Sequence, residues 1–134
     1  MPTASDVAYL DASALVKLVL PEDETVALEQ ALGRWPRHAT SRIAVVEVLR
    51  AVLRRDASVE PRARYLLTRL SLVAIADRLL LGAVAIPPLE LRAIDALHIA
   101  SALRIGRALA VFVSYDQRQL EAAAALGLPT DSPR

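Results

Sequence analysis

Four acids of this chain stand where a carboxylate is costly unless something positive meets it. Asp11 follows the apolar run Val7-Ala8-Tyr9-Leu10, and Asp116 follows the apolar stretch Ala108–Val113. Glu47 and Asp95 interrupt helix-spaced apolar residues, Ile43, Val46 and Leu49 in one case and Leu91, Ile94 and Leu97 in the other. Ser13 and Ser114 each lie two positions from one of the strand-end acids. Burying a carboxylate carries a desolvation penalty, and four that converge repel and raise one another's proton affinity. A hard divalent cation relieves both. Mg2+ suits such a site best, held by a few carboxylates and several waters, with Mn2+ able to substitute. An ion of this kind bridges carboxylates to a phosphodiester and acidifies an attacking water. Ser13 and Ser114 would orient the ligands by hydrogen bonding from behind.

Plainer roles stand beside these. Asp11 has the residue type and position of a helix cap. Arg50, at i+3 from Glu47, offers an intrahelical ion pair. His98, at i+3 from Asp95, reads as a packed residue bonding that acid rather than as a ligand or general base. Trp35 reads as a packing residue.

The elements that must position the acids alternate between strands and helices. Residues 7–10 read as a buried strand, followed from Ala14 by helical spacing. A second helix is predicted from Pro21 to about Leu32, with proline at its entry, acids in its first turn and Gly33 at its end. After the Trp35-Pro36 turn, residues 38–40 suggest a short strand. A helix over 41–55 follows, capped by Ser41, with Ile43, Val46, Leu49, Val52 and Leu53 as its apolar stripe. Residues 59–71 form another helix able to pair with it as a hairpin. Then come a buried strand over 72–75, a helix over 77–84, a stop at Pro87-Pro88 and a helix over 89–105. A strand over 108–113, a helix over 117–126 and a short edge strand over 128–130 complete the chain. The alternation predicts an α/β, three-layer fold: a mainly parallel central sheet of four to five strands with helices on both faces. If the strands before Asp11 and Asp116 are parallel neighbours, both carboxylates emerge at one sheet edge.

Composition narrows the class. The 134 residues suit a single domain over 1–134, and 54% hydrophobic against 23% charged residues marks a globular chain rather than a disordered one. There is no cysteine, so disulfides and thiolate metal sites are excluded. No apolar run reaches bilayer length, and the opening MPTASDVAYLD lacks a basic leader pattern, so a cytoplasmic location without membrane attachment is expected. Residues 1–33 carry six acids against one lysine, and residues 34–69 carry nine arginines against three acids, a balance of −5 followed by +6. A basic middle beside an acidic start fits an anionic polymer bound next to a metal, with Arg54 and Arg55 as phosphate contacts. A solvated helix face is the plainer account. Neither a Gly-rich phosphate loop nor a Ser/His/Asp or Cys/His nucleophile set is present.

The ordered segments YLDASALVKL, AVVEVLRAVLRR, LRAIDALHIASAL and FVSYDQRQLEAAAALGL together resemble the PIN-domain ribonucleases, in particular the VapC-like toxins of type II toxin–antitoxin pairs. The resemblance runs from Val7 to Thr130 and is poorest over residues 72–90, at the edge of the substrate groove. It implies that Asp11, Glu47 and Asp95 bind the metal and that Asp116 completes the catalytic set. Ser13 and Ser114 match its usual hydroxyl companions, and Arg50 matches a basic position after the glutamate. It further implies Mg2+-dependent endoribonuclease activity on RNA, a cognate antitoxin, a homodimer and a larger toxin–antitoxin complex. A catalytically inactive PIN-like interaction module and a PIN-like DNA nuclease are the alternatives. A receiver-like phosphoacceptor domain would want an acidic pair after the first strand and a late lysine. A haloacid-dehalogenase-type phosphatase would want a second aspartate where Ser13 stands.

Overall fold

The computed structural model describes residues 5–134; the reading of the opening stretch rests in part on residues 1–4, which lie outside them. Strand β1 (Val7–Leu10) occupies the centre of a five-stranded sheet with β2 (Arg37–Ser41) and β3 (Ser71–Val73) on one side. On its other side lie β4 (Leu109–Val113) and β5 (Thr130–Asp131), giving the order β3-β2-β1-β4-β5. Every pairing is parallel. The chain therefore builds outward from β1 to β3, then crosses back to β4. The gap between the carboxyl ends of β1 and β4 is the topological switch point, where open α/β sheets form their crevice.

Both faces of the sheet are covered. Helices α1 (Ala12–Val19), α2 (Thr25–Leu32), α3 (Ile43–Arg55) and α4 (Glu60–Thr68) pack on one side, around Ala8, Leu10, Val111 and Val113. Helices α5 (Asp77–Val84), α6 (Ala93–Ile105) and α7 (Gln117–Ala125) pack on the other, around Val7, Tyr9, Leu109 and Phe112. This two-sided burial is why β1 is a continuous apolar run rather than an alternating one. The β1–β4 register shifts between Val7 and Ala8, skipping Ala110. The extra residue changes the parity of β4, so Leu109 and Phe112 share one face although they are three apart. Among the described residues no helix is long and apolar enough to cross a membrane.

The expected three-layer α/β architecture is present, with all five strands parallel, while several boundaries move. Helix α2 begins at Thr25 rather than Pro21. The Thr25 hydroxyl donates to the Lys17 carbonyl at 2.8 Å and accepts from the Glu22 N–H at 2.8 Å. Lys17 also holds the carboxylates of Glu22 and Glu24, so those acids close a loop onto α1 instead of opening a helix. Ser41 ends β2, although its Oγ still accepts from Ile43 N at 3.3 Å. Helix α4 stops at Thr68, and Ser71 joins β3, an edge strand that is partly exposed rather than buried. Helix α6 starts at Ala93, not Leu89, because Leu91 N bonds Pro88 O in a turn and Arg92 is extended.

The apolar stripe of α3 is also displaced. Ala44, Val48 and Val52 are fully buried, while Val46 is 54% and Leu53 52% exposed. Val46 lies on the wall of an open groove beside the acids.

Candidate functional site

Asp11 lies directly beyond β1 and caps α1 through Oδ1, which accepts from Ala14 N at 3.0 Å. Ser13 donates to the same oxygen at 2.6 Å, and Ser114, beyond β4, donates to Oδ2 at 2.6 Å. Both serines are themselves fixed: Ser13 Oγ accepts from Tyr115 N at 2.9 Å, and Ser114 Oγ from Asp116 N at 3.0 Å. Asp11 is only 3% exposed. Burial pushes its carboxyl above the usual range, against the pull of Ser114, Ser13 and the Ala14 N–H. Capping and placement at the crevice are thus two roles of one side chain.

Asp116 caps α7, with Oδ1 accepting from Arg118 N at 3.0 Å and Gln119 N at 3.3 Å. Its Oδ2 is free of those bonds and faces Arg92 Nη2 at 3.5 Å. Arg92 Nε also reaches Asp95 Oδ2 at 3.4 Å. One guanidinium therefore bridges the two carboxylates at the crevice mouth. Burial is the main cause that raises the Asp95 carboxyl; Arg92 lowers it and the nearby Asp116 charge raises it further. Gln119, fully buried, donates to the Asp95 carbonyl at 3.3 Å and fastens α7 to α6.

Glu47 does not pair with Arg50. Its Oε1 accepts from His98 Nε2 at 2.6 Å, joining α3 on one face of the sheet to α6 on the other. His98 is the packed, hydrogen-bonded residue expected, but its partners are Glu47 and Tyr9 rather than Asp95. Glu47 also lines a groove of about 660 Å³ with Ser13, Lys17, Arg50, Arg54 and Tyr115. Arg55 is not among the residues that line the groove and instead pairs with Glu22, which does line it, at 3.1 Å.

Among the described residues no three acidic or imidazole side chains stand as a ready metal cage. Mg2+ needs less than that, since it keeps several waters and takes one or two carboxylates. The Asp95–Asp116 pair offers all-oxygen donors already drawn to one cation, the Arg92 guanidinium, and this chemistry fits the ion. Sequence reasoning missed Arg92, Tyr9 and Gln119. Arg92 at i−3 from Asp95 was the one available signal; nothing local pointed Tyr9 or Gln119 at the site.

The fold and site define a doubly covered parallel α/β domain with Asp11 and Asp116 just beyond the two strands that flank the switch point, and Asp95 joined to Asp116 by Arg92. The chain belongs to the PIN-domain family, whose model, described as PIN domain, matches residues 8–125. It is 38% identical over 125 residues to Ribonuclease VapC46 of Mycobacterium tuberculosis, covering 93% of this chain and 96% of that protein. It is 39% identical over 130 residues to Ribonuclease VapC47 of the same species, with the same coverage of 93% and 96%. Among solved structures, M. tuberculosis VapC20, a sarcin–ricin loop cleaving toxin, superposes with a TM-score of 0.75 at 17% identity, covering 94% of this chain and 99% of that one. A toxin–antitoxin complex from Klebsiella pneumoniae matches with a TM-score of 0.72 at 24% identity, covering 95% and 98%. These two likenesses establish the fold.

Proposed function

We propose that this chain is a Mg2+-dependent endoribonuclease, the toxin of a type II toxin–antitoxin pair, working in the cytoplasm as a homodimer restrained by its cognate antitoxin. The observation that carries the reading is the Asp95–Asp116 pair bridged by Arg92, with Asp11 tied to the Asp116 backbone through Ser114, in a chain whose Arg50 and Arg54 rim an open groove. The ribonuclease names of relatives above one-third identity support the substrate class. Neighbours solved as toxin–antitoxin complexes support the partner and the larger assembly.

Asp95 and Asp116 would hold the ion, with Glu47 and Asp11 completing the acidic set. Bound Mg2+ would neutralise the carboxylates, polarise the scissile phosphodiester and acidify the incoming water. Arg50 and Arg54 bind flanking phosphates and set the strand along the groove. Ser13 and Ser114 keep Asp11 from turning.

Purified protein should cut RNA with Mg2+ or Mn2+ and stop on chelation, leaving single-stranded DNA intact. Asp11→Asn and Asp95→Asn should each abolish cleavage. Undiminished cutting by either variant contradicts the assignment, and cutting of DNA alone would move the substrate class.

A further inference from the structure

We infer that His98 is a positioning residue that holds Glu47 toward the groove, and that Tyr9 sets the ring nitrogen it presents. The inference rests on the reading of Glu47 as part of the metal site. His98 is 1% exposed, and both of its ring nitrogens are used. Nε2 lies 2.6 Å from Glu47 Oε1, and Nδ1 lies 2.6 Å from the Tyr9 hydroxyl. A carboxylate only accepts, so Nε2 carries the hydrogen of that bond. In the neutral ring Nδ1 is then a lone pair, and the Tyr9 O–H donates to it. In that tautomer the chain of donation runs from Tyr9 to His98 to Glu47.

Each member is anchored by a different layer. Tyr9 is fully buried in the central strand, stacked on Phe112 with centroids 5.3 Å apart and planes 8° apart. Its ring meets His98 edge-on at 5.8 Å and 75°. Glu47 has an arginine at i+3 on its own helix, yet bonds across the sheet edge instead. Pinning Oε1 removes most of the rotamer freedom of a glutamate and leaves Oε2 to the groove. Outer partners that fix a metal ligand in this way typically contribute 10- to 100-fold in metal affinity.

The test measures Mn2+ affinity by electron paramagnetic resonance titration of the free protein, with no substrate. His98→Leu should weaken Mn2+ binding about tenfold, and His98→Gln, whose amide can still donate to Glu47, should restore most of it. Tyr9→Phe, which removes one hydroxyl from an unchanged shape, should weaken binding a few-fold. In a Glu47→Ala background His98→Leu should cost nothing more. If Glu47→Ala weakens Mn2+ but His98→Leu and Tyr9→Phe do not, the inference is overturned and the reading of Glu47 stands. If Glu47→Ala itself has no effect, that reading fails and takes the inference with it. Should His98→Leu fail to fold, Tyr9→Phe with wild-type affinity is sufficient to overturn the inference.

Discussion

Ser114 Oγ donates to Asp11 Oδ2 at 2.6 Å, tying together residues 103 positions apart at the carboxyl ends of two adjacent parallel strands. Ser114→Ala leaves that buried oxygen without a side-chain donor. The cost of such an orphan is about 1–3 kcal/mol, read as a lower denaturation midpoint at neutral pH. Ser13→Ala should cost less, because the Ala14 N–H remains on Oδ1. Equal midpoints for wild type and Ser114→Ala would show that the Asp11–Ser114 bond holds nothing.

The Asp11 and Asp95 contributions to metal-free stability should fall as pH rises through the carboxylate range, opposite in sign to those of Asp6, Glu22, Glu24 and Asp56, which their hydrogen-bond partners hold low. Burial raises the carboxyls of Asp11 and Asp95 above their ordinary values. Their protonated forms therefore favour the fold: the contribution is full below the unfolded-state value and is lost as pH passes the raised folded value. Asp95→Asn stays neutral throughout, so its melting temperature should match or exceed wild type at neutral pH, and its pH profile should lack the Asp95 share of that fall. A destabilised variant with the wild-type pH slope would instead make Asp95 a structural hydrogen-bonding residue.

Divalent metal should stabilise wild type by RT ln(1 + [L]/Kd), about 2.7 kcal/mol at 100-fold excess over Kd. Asp95→Asn and Asp116→Asn should each shrink the Mg2+-induced rise in melting temperature. Calorimetry of both variants with and without Mg2+ is the check, and a full metal response in either removes that residue from the site.

Arg92→Gln separates the guanidinium from the ion it would accompany. Arg92 is 80% exposed, so its two ion pairs contribute at most about 1 kcal/mol and the apo protein should melt nearly as wild type does. Loss of a competing cation should tighten Mn2+ binding. Weaker binding in the variant would instead make Arg92 a supporting partner of the acids.

The arginines of α3 should divide by function. Arg50 and Arg54 line the groove, whereas Arg55 is engaged by Glu22. Replacing Arg50 and Arg54 together should reduce the salt slope of RNA binding by about 1.4, two phosphate contacts at roughly 0.7 each for a single strand. Arg55→Ala should leave it nearly unchanged. The reverse order would place RNA on another face.

What the sequence determined by itself is local in origin. The apolar run 7–10 is a central strand because both sheet faces are covered, and α5 spans the residues its periodicity marks. Asp11 and Asp116 cap their helices because a short acid at a strand-to-helix corner reaches the first free N–H groups. Residue type and spacing within one turn or one strand carry that information, and the four acids with their two serines were visible on those terms. Tertiary structure decided the rest. Only the strand order sets β1 beside β4 and so lets Ser114 reach Asp11. Glu47 takes His98 rather than the arginine one turn along its own helix because packing brings α6 to the sheet edge there. Val46 and Leu53 stay exposed because the neighbours of α3 cover a narrower strip than its apolar spacing implies. Arg92 joins two acids that are 21 positions apart. Contacts of that range depend on register and on which face each layer covers, and neither is written in any single stretch of residues.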